Sequence, residues 1–98
     1  MTGILRKAAF TPCLNDPFLI YLGDRDAVEL RLMEINDAST ERLESFSLIF
    51  LGPLERPFAQ GTYETEHAVL GRFPLFLVPV AREKDGMRYE AVFNILNP

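Results

Sequence analysis

The run "FPLFLVPVA", Phe73 to Ala81, is the most apolar stretch of the chain, and two prolines sit inside it. Read as a strand, it sends Leu75 and Leu77 to one face and Phe76 and Val78 to the other, so both faces favour leaving water. Pro74 and Pro79 each lack a backbone donor. Backbone N–H groups alternate sides along a strand, and the odd spacing of the two prolines sends their gaps toward opposite neighbours. Regular pairing on both sides is therefore expected only over Leu75–Val78. Either Pro74 begins the strand and Pro79 lies on an unpaired edge, or a bulge falls between them.

Working outward, "GTYETEHAVLG" alternates Tyr63, Thr65, His67 and Val69 against Glu64, Glu66, Ala68 and Leu70, a half-exposed strand bracketed by Gly61 and Gly71. After the greasy run, "REKDG" supplies an Asp85-Gly86 hairpin turn, and "MRYEAVFNIL" turns Tyr89, Ala91, Phe93 and Ile95 inward. Upstream, "ESFSLIFLG" puts Phe46, Leu48 and Phe50 on one face and Ser45, Ser47, Ile49 and Leu51 on the other. "FLIYL" and "AVELRLMEI" form a hairpin around "GDRDA", and the slip in alternation at Glu34–Ile35 reads as a bulge or a strand end. "NDASTERL" and "GPLERP" are connections. Leu5, Ala8, Ala9 and Phe10 ahead of Pro12 predict one short helix, whose apolar face could lid one end of the sheet.

Six strands at even spacing, and no helix long enough for a parallel crossover, predict an all-β domain. The expected architecture is a small antiparallel six-stranded barrel or sandwich with a short N-terminal helix, one domain over residues 1–98. With 48% hydrophobic residues and 24% charged residues, such a chain can fill a core without disulfides. The balance of 14 acidic against 10 basic side chains disfavours nucleic acid as a partner. No run reaches the roughly 18 apolar residues of a membrane span. A single cysteine and the absence of a signal-length apolar segment near Met1 give the cytoplasm as the expected location.

Catalytic signals are sparse. In "ETEH", Glu64 and Glu66 share a strand face while His67 takes the other, so the spacing that suggests a metal cluster separates it. Cys13 and His67 could pair as nucleophile and base only if the fold joins them. Ser45 and Ser47 lack a nucleophile elbow. Asp24 and Asp26 are explained by turn chemistry, and no phosphate loop, dinucleotide fingerprint or calcium loop occurs. No catalytic residue, metal or cofactor is expected.

The segments "FSLIFLGP", "QGTYETEHAVLGRFPLFLVPV" and "YEAVFN" together resemble a family of small bacterial all-β domains of unknown function. The match is close over Phe46–Asn94 and looser before it. The resemblance implies an association with phage-tail-like proteins and brings no catalytic residue with it.

The expected function is a non-catalytic protein-interaction or structural module, an accessory of a tail-like or other multiprotein assembly. It would work through a protein partner or self-association, with Ile49, Leu51, Phe76, Val78 and Val80 as the interface. The alternative is a small-ligand or catalytic barrel with Gln60, Tyr63 and His67 at a pocket mouth. A third expectation is that the N-terminal segment itself covers the two-sided strands.

Overall fold

The computed structural model describes residues 5–97. Its strands are β1 (Pro17–Gly23), β2 (Asp26–Asp37), β3 (Leu43–Gly52), β4 (Gly61–His67), β5 (Gly71–Glu83) and β6 (Gly86–Leu96). All neighbours are antiparallel, and the order β1-β2-β3-β6-β5-β4 closes on itself. The protein is thus all-β with one short helix, as the strand pattern predicts. Closure removes most of the free edges that a six-stranded sheet would otherwise present.

Alternation decides the inside. Phe18, Ile20, Leu30, Leu32, Leu48, Phe50, Leu77 and Tyr89 are fully buried, and each lies at the inward parity of its strand. The bulge foreseen near Glu34 falls between Leu32 and Glu34, where the β2–β3 register shifts. One added residue there lets Ile35 return to the packed side, against the core.

β5 departs from the expectation of two-sided pairing over Leu75–Val78. Gly71–Leu77 pairs with β4, whereas Val78–Glu83 pairs with β6, so the strand changes partner in its middle. The switch accommodates both prolines. Each half has a ladder on one side only, and the alternation of N–H groups allows each missing donor to face its empty side. The bulge lies after Pro79, between Pro79 and Ala81, and not between the prolines.

The partner switch lets the first half of β5 part from the second half of β6, and the N-terminal segment packs at that end. Helix α1 (Lys7–Phe10) is a single turn continued by a 3-10 turn over Thr11–Cys13. Phe10 is fully buried, its ring 5.4 Å from Phe93, 6.0 Å from Phe73 and 6.1 Å from Phe46. Those three rings belong to β6, β5 and β3, so one side chain joins the strands that have parted. Leu5 packs against the same cluster, while Ala8 of the expected apolar face is exposed.

Backbone bonds fix the segment behind this plug. Asn15 donates to the Leu32 carbonyl at 2.7 Å, and Leu32 donates back to Asp16 at 3.1 Å. Glu44 accepts the Lys7 N–H at 2.8 Å, satisfying a free donor at the start of the helix.

Candidate functional site

The expected site residues fall in three places. His67 closes β4 at the plugged end of the barrel. Tyr63 shares its inward parity but lies four residues earlier, about 13 Å along the strand at roughly 3.3 Å per residue. Gln60 precedes β4 and is exposed. The three do not converge.

At the far end, Tyr63 donates its hydroxyl to the Ala59 carbonyl at 2.5 Å and packs edge-on against Phe58. Phe58 stacks on Tyr89 with centroids 4.2 Å apart and donates its N–H to the Tyr89 hydroxyl. The "GPLERP" connection is thereby held over the barrel mouth by a chain of aromatic contacts. Burial pushes the Tyr89 phenol above its ordinary range, against a smaller opposing effect of the Phe58 N–H.

The plugged end brings together residues the sequence leaves apart. The ligating atoms of Cys13, Asp16 and His67 all lie within 4.8 Å of one another. Sequence reasoning paired Cys13 with His67 only conditionally, and Asp16 went unnoticed because nothing in "CLND" marks it. His67 also ends β4 three residues before the expected limit at Leu70. Its Nδ1 accepts the N–H groups of Val69 at 3.0 Å and Leu70 at 3.2 Å, folding Ala68–Leu70 into a turn that Gly71 completes at φ 77°. Val69, expected to share the inward face of His67, is consequently exposed.

These bonds define the chemistry of the trio. A neutral imidazole has one protonated nitrogen. Because Nδ1 is the acceptor of two N–H groups, the proton resides on Nε2, which donates to Asp16 Oδ2 at 2.9 Å. The ring therefore presents no lone pair to a cation or to the Cys13 thiol. Cys13 is buried, its Sγ 3.5 Å from the Ala9 carbonyl, and burial followed by the nearby Asp16 charge pushes its pKa up. A raised thiol pKa opposes thiolate formation. The donor set as bonded is one carboxylate and two protonated partners, which fits neither a metal centre nor an activated nucleophile. What the trio does is mechanical: it ties the plug to the turn after β4.

On the outer wall, Arg72 lies over the Tyr21 ring at 4.2 Å and 3.7 Å from Glu66, and Glu66 accepts the Tyr21 hydroxyl at 2.5 Å. The adjoining depression, about 450 Å³, opens where β1 and β4 part beyond the Tyr21–Glu64 pair, and Tyr63, Glu64 and Asp24 also line it. Arg72 has no acidic neighbour in the immediate sequence. Only the hairpin register, which sets Glu66 opposite Arg72, supplies one.

The five expected interface residues lie on one outer surface. Ile49 and Leu51 project outward from β3 and are half-buried, as is Val78 on β5, while Phe76 and Val80 each retain 49% exposure. Register links them: Val78 and Ile49 flank Glu90 from opposite sides. Val92, which the sequence reading left out, extends the surface along β6 with 59% exposure.

Fold and surface together define a small, plugged, antiparallel β-barrel with an apolar outer wall. The chain belongs to the family described as Domain of unknown function (DUF6916), whose profile matches residues 5–93. No curated protein and no solved structure matches it.

Proposed function

We propose that this domain is a non-catalytic protein-interaction or structural module whose contact surface is the outer wall of β5, β6 and β3. The observation that carries the reading is the group of outward apolar side chains on that wall, gathered about Val78 and Ile49 where the register joins its strands. Phe76, Val78, Val80 and Val92 lie on adjacent strands beside Ile49 and Leu51, at positions whose parity faces water. Apolar side chains grouped on one outer face of a small domain mark contact sites. The resemblance noted in the sequence, with the phage-tail-like company it implies, extends the proposal to an accessory of such an assembly. The protonated, buried Cys13 accords with a cytoplasmic setting.

The test is photo-crosslinking in the organism that encodes the protein. A benzophenone amino acid is placed at Thr62, which is exposed and pairs with Phe76, or at Glu29 on the opposite wall as a control. The expected result is a discrete adduct from position 62 that Val78→Asp abolishes. No adduct, or the same products from position 29, would sink the proposal.

A further inference from the structure

Glu90 is an outward charge inside the apolar wall, one outward step along β6 from Arg88, which lies between Leu51 and Ala81. It projects outward from β6 and is half-buried. Across the ladders its neighbours are Val78 on β5 and Ile49 on β3, and along its own strand the next outward residue in one direction is Val92. In the other direction lies Arg88, the nearest cation along the strand. Arg88 has other partners, its Nε donating to Glu83 and its Nη1 3.8 Å from Glu34, and it forms no ion pair with Glu90. Among the described residues the Glu90 side chain has no hydrogen bond or ion pair, as is true also of the exposed Glu29, Glu41, Glu55 and Glu64, whereas the other half-buried glutamates, Glu44 and Glu66, each have a cation.

This arrangement constrains what can cover the wall. An entirely apolar surface laid over it would remove water from the Glu90 carboxylate and return nothing, which is strongly unfavourable. A second copy docked face to face by the same strip would bring Glu90 toward its twin, adding like-charge repulsion to that loss. A partner carrying a cation among apolar side chains satisfies both requirements, and the chain's net charge of −4 steers such a partner inward.

We infer that the wall binds a protein segment presenting a single Lys or Arg among apolar side chains, the cation pairing with Glu90. The inference rests on the proposed contact role of this wall and names the chemistry of its partner. Glu90 then sets specificity, while Phe76, Val78 and Val92 supply the buried area.

The crosslinking system tests it with Glu90→Lys and Glu90→Gln in the chain bearing the benzophenone at position 62. Thermal melts of both variants establish that they fold. The expected result is at least a tenfold loss of the adduct with Glu90→Lys and a smaller loss with Glu90→Gln. The adducted partner segment contains a Lys or Arg whose replacement by Glu restores the adduct with Glu90→Lys. An adduct undiminished in both variants, or one whose partner is a second copy of this chain, overturns the inference. So does a Glu90→Gln chain that self-associates while keeping its adduct, because Glu90 would then serve only to keep the wall soluble. Each of these outcomes leaves the contact role of the wall standing. Failure of Val78→Asp to remove the adduct would instead remove that role.

Discussion

Phe10 offers the sharpest test of how the barrel is closed. Its ring has no exposed surface and touches Phe46, Phe73 and Phe93, one from each strand lining the end where β5 and β6 part. Truncating a buried Phe to Ala costs about 3–5 kcal/mol, from lost transfer energy and the cavity left behind. The α1 segment is a single turn that can lift off the barrel without unfolding it, so the loss is limited by its docking energy and the lower value, about 3 kcal/mol, is expected for Phe10→Ala. Against a domain stability of about 5–15 kcal/mol this is a large fraction. At about 4–8 °C per kcal/mol for a domain of this size, the midpoint should fall by roughly 12–24 °C. Urea unfolding measures the free-energy loss and thermal melts the fall in midpoint, both followed by far-UV circular dichroism with Lys7→Ala as a control. The Lys7–Asp37 pair is exposed, and its removal should leave the midpoint nearly unchanged. A Phe10→Ala loss below about 1 kcal/mol would refute the plug, because the three strand aromatics would then be shown to close the barrel without it.

Two further outcomes follow from the plugged end. His67→Ala should cost about 2–4 kcal/mol, since it strips the acceptor from two N–H groups and the donor from Asp16. His67→Asn, whose Oδ1 takes the place of Nδ1, should cost less and retain hydrogen-exchange protection at Val69 and Leu70, and equal costs for the two variants would refute the acceptor role. Alkaline stability tests the two raised pKa values of Cys13 and Tyr89. With the folded pKa above the unfolded one, the unfolded chain loses its proton first. Stability should therefore decline as pH rises past about 8.5 through Cys13 and further past about 10 through Tyr89. Urea midpoints at pH 7, 9 and 11 check this, and Cys13→Ala should remove the earlier part of the decline. An unchanged slope in that variant would contradict the assignment.

Much of the fold was legible because a half-buried strand writes its orientation into a period of two. Phe46, Leu48 and Phe50 had to face one way, and Tyr89, Ala91 and Ile95 likewise, once water was the alternative. The β2 bulge was legible for the same reason, as a break in that period at Glu34. His67 misled beyond its own position, because Tyr63 to Leu70 keeps alternating after the strand has ended. The end is imposed by a side-chain nitrogen capturing two later N–H groups, and hydropathy carries no trace of such a bond.

By itself the sequence determined the number of strands, their inward faces and the apolar character of the outer wall, all local consequences of which side chains avoid water. Only the tertiary structure decided which strands are neighbours. From that followed the partner switch in β5 that accommodates Pro74 and Pro79, the seating of Phe10 between strands far apart in the chain, and the meeting of Asp16 with His67. It also decided that Glu90 stands between Val78 and Ile49. Pairing is a choice among long-range partners made by the whole barrel at once, and no single strand encodes it.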